Sequence, residues 1–190
     1  MQYRPDIDGL RAIAVLAVIL YHAGVPGFGG GYVGVDVFFV ISGYLITQIL
    51  LRDLAAGRFS IARFYERRAR RILPALFCVL LCCLPPAFLW LRPAELAGFG
   101  AALGAVILFV SNILFWRQID YFDETAELNP LLHTWSLAIE EQYYIFFPLV
   151  LAVLWRLGRR APALGMGLVF LASLALAEVL SRQMPGANFY

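Results

Sequence analysis

Six stretches of this chain are apolar for close to the ~20 residues that a helix needs to cross the hydrocarbon core of a bilayer. They fall near residues 10–24, 32–51, 72–91, 97–116, 134–155 and 163–180. Composition agrees with lipid as the solvent: 62% of residues are hydrophobic and only 15% charged, where a soluble domain carries about a quarter charged. Mean hydropathy is +0.76. The pattern predicts an all-α, polytopic integral membrane protein with about six transmembrane helices. The first run has no small-residue cleavage site and continues into a Gly-rich turn and a second span, so it reads as a retained helix.

All the basic residues are arginine, and lysine is absent. That excludes a Schiff-base lysine, a phosphate-loop lysine and pyridoxal chemistry, and the small positive charge does not predict a nucleic-acid partner. Cys78, Cys82 and Cys83 lie inside one apolar run, "ILPALFCVLLCCLPPAFLWL". They give neither a disulfide framework nor zinc-ligand spacing, so no metal site is expected and they read as small buried hydrophobes.

Between spans two and three, arginines 52, 58, 63, 67, 68, 70 and 71 stand against Asp53 and Glu66. The positive-inside rule places this segment, and with it the N-terminus, in the cytoplasm. Strict alternation then makes residues 117–133 cytoplasmic and "RLGRR" at 156–160 external. The charges say the opposite, because the first segment carries four acids and one arginine and the second three arginines. A re-entrant segment within 72–116, where Pro85 and Pro86 are expected to break the helix, would reconcile the two. The charge pattern would then make residues 120–127 external.

Polar groups inside apolar helices cost several kcal/mol when they face lipid, so each such residue is a candidate for function. In "DGLRAIAVLAVILYHAG", residues 8–24, Arg11 and His22 are eleven residues apart. That spacing puts them on one helix face about 16 Å apart along the axis. His22 suits proton transfer near neutral pH, and Asp36, early in span two, is expected to return to the same depth as its partner. Asp36, Gly43 and Thr47 share a stripe with Ser42 and Tyr44 beside it, readable as a helix-packing face or as the wall of a polar tunnel. Gly29, Gly31 and Gly34 spell G-x-G-x-x-G, but no strand precedes them, so a flexible turn is the expected reading. Gly100 and Gly104 have the spacing of close helix packing.

In "RFYERRARRILPAL", Arg63, Arg67, Arg70, Arg71 and Pro74 form one helical stripe. Guanidinium forks on such a stripe suit the phosphates of a donor such as a coenzyme A thioester, though topology and anionic headgroups would account for them as well. "LNPLLHTWSLAIEEQYYIFFPL" is the densest polar insertion. A helix from about residue 133 places His133, Ser136, Glu140 and Tyr143 or Tyr144 on one face, flanked by Glu141 and Gln142.

Four motifs in this order, "RAIAVLAVILYH", "FFVISGYLIT", "RRARRILPAL" and "LLHTWSLAIEEQYYIFFPL", resemble the membrane acyltransferase-3 family of bacterial O-acyltransferases. The resemblance implies that an acyl group, usually acetyl, passes from cytoplasmic acyl-CoA to a hydroxyl of a surface glycan or lipid-linked saccharide. It marks Arg11 and His22 as a functional pair, Arg68 and Arg71 as an Arg-x-x-R element near the donor, and Glu140 within the Trp-Ser-Leu segment. It also implies a bacterial inner-membrane protein whose domain has about ten helices, of which residues 1–190 would be a truncated N-terminal part.

The combined reading assigns catalysis to His22, Arg11 and Glu140. Arg67, Arg68 and Arg71 would hold the CoA phosphates, with Asp36, Ser42 and His133 also lining the substrate path. Acyl-CoA is a substrate, and no permanently bound cofactor is expected. His22 would act as general base or as acyl carrier, and Glu140 would share its site if the charge pattern sets the orientation of span five. A proton-coupled transporter or flippase using His22, Asp36 and Glu140 as a relay is the alternative. A haem protein with His22 and His133 as axial ligands is a weaker third.

Overall fold

The computed structural model describes residues 4–119 and 129–183, and every regular element among them is helical. In chain order these are α1 (Pro5–His22), a 3-10 turn (Gly31–Val33), α2 (Gly34–Ala55), α3 (Ile61–Trp90), α4 (Pro93–Ile107), α5 (Ser111–Ile119), α6 (Thr134–Leu157) and α7 (Ala161–Gln183). They form two units, residues 1–59 and 60–190. The acidic segment at 120–127 lies outside the described residues.

In the first unit Pro5 opens α1 where its missing N–H costs nothing, and Asp6 and Asp8 sit in the first turn, complementing the helix dipole. The helix stops at Gly24, whose φ of +67° is the left-handed conformation of a Schellman cap. Its N–H reaches the Tyr21 carbonyl at 3.0 Å, and that of Val25 reaches Leu20 at 3.1 Å. The chain then returns as α2 against α1. A Cβ at Gly31 would lie 2.7 Å from Tyr21 Cβ and closer still to the Ala17 carbonyl. One at Gly34 would lie 2.9 Å from Val18 Cγ2 and closer still to the Ala14 carbonyl. Gly31 and Gly34 therefore form a packing seam, because only a residue without a side chain lets the two backbones approach this closely, while Gly29 lies in the open turn.

In the second unit α3 runs for 30 residues, about 45 Å. Ser60 caps its N-terminus, accepting from the Arg63 N–H at 3.4 Å. Pro74, Pro85 and Pro86 all lie inside it. The expected break at Pro85–Pro86 is absent, since a bilayer helix tolerates proline where neighbours and local adjustment meet the freed carbonyls. The break comes later. The apolar run at 97–116 divides into α4 and α5 at residues 108–110, where the Phe109 N–H bonds the Val106 carbonyl at 3.0 Å and the Val110 N–H bonds Ala105 at 2.8 Å. This is again a Schellman cap, with Phe109 at φ +54° in the position glycine usually takes.

Cross-contacts fix the directions in this unit. Tyr65 and Arg68 near the start of α3 touch Ile145 and Tyr144 of α6. Leu76, Leu80 and Ala87 further along α3 share a buried cluster with Leu131, just before α6. Thus α6 is antiparallel to α3, and residues 156–160 emerge at the end where α3 begins. Phe109 and Asn112 meet Gln142, whereas Phe115 packs in the cluster that holds Leu131. So α5 is antiparallel to α6, and α4, which returns from the far end of α3, reverses into α5 at the break. The chain thus reverses at 108–110, within the 72–116 region where a re-entrant segment was expected.

Four described helical segments are long and apolar enough to cross a membrane: Gly31–Ala55, Ile61–Trp90, Thr134–Leu157 and Ala161–Arg182, with Pro93–Ile107 shorter. By length and composition, the described helices do not confirm the six spans expected. Asp6, Asp8 and Arg11 leave α1 an apolar stretch of only about 15 Å, and the fourth run is a broken pair. Cys78 and Cys82 are exposed and Cys83 is half-buried, contrary to the expected burial. Cys78 and Cys82 project from the side of α3 opposite Leu76 and Leu80, whereas Cys83 packs against the cluster that holds those leucines. Gly100 and Gly104 are not contact points, since a Cβ at either would meet nothing within 4 Å. α4 packs instead through Phe99, Ala102 and Val106.

Gly34→Ala is expected to destabilise the α1–α2 hairpin by about 1–3 kcal/mol, because its methyl meets backbone that cannot yield. Gly29→Ala, in open space, is expected to be neutral. Thermal unfolding of the detergent-solubilised protein compares the two.

Candidate functional site

The face of α1 that carries Arg11 and His22 is the face packed on α2. Ala14 and Val18 lie between them on the same stripe, Ala14 buried and both in contact distance of a Cβ at Gly34. The stripe is thus closed in its middle by backbone packing and polar only at its two ends. At one end the Arg11 guanidinium lies 5.0 Å from the centroid of the Phe38 ring and 4.0 Å from Asp8 Oδ1. The aromatic face supports the cation where water is scarce. At the other end His22 is exposed, and its Nδ1 lies 2.9 Å from the Val18 carbonyl. A carbonyl only accepts, so Nδ1 carries the hydrogen, and the neutral ring has its lone pair on Nε2. The Tyr21 ring packs edge-on against the imidazole at 5.0 Å.

Asp36 is exposed and does not stand beside His22. The contacts of Gly31 and Gly34 set the hairpin register, which brings Asp36 level with Ala12 to Ala14, roughly 12–15 Å along the axis from His22. The early position of Asp36 in span two suggested otherwise because the Gly-rich turn occupies several residues before α2 begins. Ser42 is buried, on the stripe with Gly34, Ile46 and Leu50. The Thr47 hydroxyl bonds back to the Gly43 carbonyl of its own helix at 2.7 Å. These contacts favour the helix-packing reading of α2 over a tunnel wall.

In the second unit the arginines divide between two faces of α3. Arg63, Arg67, Arg70 and Arg71 are exposed, and Arg70 pairs with Glu66 at 2.8 Å. Arg68 lies instead on the inward row with Phe64, Leu76 and Leu80, half-buried, its Cζ 3.9 Å from the centroid of the Tyr144 ring. The three arginines expected to grip phosphates together therefore do not point together.

Tyr144 joins this cation to the acidic pair of α6. It is buried, and its hydroxyl donates to Glu140 Oε1. Glu141 is on the buried face with Ala138, Tyr144, Pro148 and Leu151. Its Oε1 is fully buried with no hydrogen-bond partner among the described residues, and the charges of Glu140 and Arg68 act on it. The Tyr65 hydroxyl, from α3, donates to the Ile145 carbonyl at 2.6 Å. Ile145 lies in the turn before Pro148, where the proline ring disturbs helical bonding.

Gln142 occupies the next face round α6. Its Nε2 donates to the Phe109 carbonyl at 2.8 Å and to Asn112 Oδ1 at 2.9 Å, holding the α4–α5 reversal. Ser111, fully buried, donates to the Thr134 carbonyl at 3.0 Å. His133 is exposed at the N-cap of α6, and its carbonyl accepts from Ser136 at 3.1 Å. Glu140 lies on α6 and His133 at its N-cap, and the polar contacts of this helix run from Tyr144 to Glu140 and from Gln142 to Phe109 and Asn112. Ala138, Glu141, Tyr144, Pro148 and Leu151 share the buried face, but Leu137, Glu140, Tyr144 and Phe147 repeat at the same helical spacing, so the sequence carries no signal that singles out Glu141.

Long apolar helices, an exposed arginine face on α3 and polar contacts between α3 and α6 are the make-up of a multi-pass helical membrane protein. Residues 4–187 match the acyltransferase-3 family, described as an acyltransferase domain, and the chain belongs to that family. It is 46% identical over 158 residues to "Putative O-acetyltransferase SAS0844" of Staphylococcus aureus strain MSSA476, covering 81% of this chain and 26% of that protein. It is 42% identical over 155 residues to "O-acetyltransferase OatA" of S. aureus strain NCTC 8325, covering 80% of this chain and 25% of that protein. The chain thus spans about a quarter of the length of these relatives. No solved structure matches it.

Gln142→Leu is expected to cost about 1–3 kcal/mol by stranding the Phe109 carbonyl. Gln142→Glu is expected to cost at least as much, since a carboxylate has no hydrogen to donate there. Chemical unfolding of both variants in micelles checks the order.

Proposed function

We propose that the chain carries the acyl-transfer machinery of a membrane O-acetyltransferase, moving acetyl from acyl-CoA to a hydroxyl of a glycan-type acceptor. Family membership and the names of the relatives support the reaction class. The observation that carries the residue-level reading is the Nδ1 contact of His22 with Val18, which directs the ring's lone pair to Nε2. As general base, Nε2 takes the proton of the acceptor hydroxyl while that oxygen attacks the thioester carbonyl; the C–S bond breaks and CoA leaves as the thiolate. The same lone pair would be the nucleophile if the acetyl were carried on the ring in two steps.

Arg67 and Arg71, on the exposed face of α3, hold the CoA phosphates, where guanidinium forks bind phosphoryl oxygens in pairs. Arg11 is held by Phe38 and Asp8 and supports a donor phosphate or carbonyl. Glu140, accepting from Tyr144, and His133, at the start of α6, orient the acceptor. Ser42 and Asp36 are further substrate contacts on α2. The arginines at 52–71 and 156–160 face the cytoplasm of a bacterial cell by the charge rule, which also puts the N-terminus there. The antiparallel course of α3 and α6 supports this reading, since it brings residues 156–160 out at the end where α3 begins.

His22→Ala in the full-length enzyme is expected to lower acetyl transfer by about 10²–10⁴-fold with normal membrane insertion, measured as radiolabelled acetyl on the glycan. Retained transfer would remove His22 from the mechanism. Arg67→Ala with Arg71→Ala is expected to raise KM for acetyl-CoA with kcat little changed, because phosphate contacts bind ground state and transition state alike. Initial rates against donor concentration separate the two constants.

A further inference from the structure

Among the described residues, Glu141 Oε1 is the one fully buried side-chain oxygen or nitrogen that no partner meets. A buried polar atom left unmet costs about 1–3 kcal/mol, and more when charged, so such a group persists where something supplies the missing donor. The residue is nine-tenths buried, with 9% of its surface accessible. The neighbouring cation is specific. The Arg68 Cζ lies 3.9 Å from the centroid of the Tyr144 ring, a cation–π contact that does not use up the guanidinium's N–H donors as hydrogen bonds. Glu140, the other acid of the pair, already accepts from Tyr144. One acceptor oxygen, on Glu141, and one fork of donors, on the arginine that Tyr144 holds, therefore remain to be used.

We propose that Glu141 and Arg68 together receive a substrate group that carries a hydrogen-bond donor beside an acceptor oxygen. Glu141 accepts from the donor and Arg68 donates to the acceptor. Two parts of the reactants have this chemistry: an amide of the pantetheine arm of acyl-CoA, and a hydroxyl of the glycan. The inference rests on the acyl-CoA reading above and assigns Arg68 a role apart from the phosphate-holding arginines. Glu141 is a substrate-contacting residue, and Tyr144 is the positioning residue that sets its cation.

The test uses the full-length enzyme in nanodiscs with E141Q and E141L. Binding of acetyl-CoA and of adenosine 3′,5′-bisphosphate, which has the phosphates but no pantetheine amide, is measured by calorimetry. KM for a soluble N-acetylglucosamine oligosaccharide is measured by acetyl transfer. If the amide is the source, E141L raises the Kd of acetyl-CoA by about tenfold or more and leaves that of the bisphosphate unchanged. If the hydroxyl is the source, both Kd values hold and KM for the oligosaccharide rises by a similar factor. E141Q keeps the side-chain volume, so a severalfold change of the same constant at an unchanged thermal midpoint excludes a folding defect. No change in any of the three constants in E141Q and E141L overturns the inference while leaving the acyl-CoA reading intact. Wild-type enzyme that binds no acetyl-CoA overturns both.

Discussion

Backbone carbonyls freed at bilayer depth find no water, so a protein donor has to meet them. In the second unit that condition is met at residues 108–110, where the chain stops one helix and begins another. The Schellman cap satisfies most of the carbonyls at the end of α4 internally, and the Gln142 amide meets that of Phe109. Because Gln142 also binds Asn112, one side chain ties the end of α4 and the start of α5 to α6. The position of α6 then determines which of its faces meets α3. That places Glu141 and Tyr144 inward beside Arg68, with Glu140 held through the tyrosine hydroxyl.

A second constraint of the same kind shapes the first unit. Arg11 and His22 occupy a face that cannot be given to lipid, and the hairpin covers it with α2. Glycine at 31 and 34 allows the approach, so the middle of the stripe is dry and packed while its ends stay polar. The proposed chemistry sits at those ends, which explains how two polar residues can share a helix face without a continuous polar channel between them.

The apolar runs, the arginine face of α3 and the polar density of α6 were all legible in the sequence, because length, hydropathy and helical period are local properties. The break at Phe109 was not legible. Its cap position holds an aromatic residue where glycine would have marked the stop, whereas Pro85 and Pro86, which look like a stop, are absorbed by a long helix. Choosing between Glu140 and Glu141 was also beyond the sequence. Neighbouring residues on a helix point about 100° apart, and only the packing of α3 and α5 decides which one is inward. For Arg67 and Arg68 the same 100° separates an exposed guanidinium from one half-buried against the Tyr144 ring.

The course of α6 underlies the whole assignment, since it carries the arginines at 156–160 to the side of the membrane where α3 begins and leaves the start of α6 on the other. The most direct measurement is thiol accessibility at Ala161→Cys in a full-length variant whose native cysteines are replaced by serine. With α6 antiparallel to α3, a membrane-impermeant thiol reagent labels this position only after the cells are opened. Labelling in intact cells would put residues 156–160 on the outside and contradict the account.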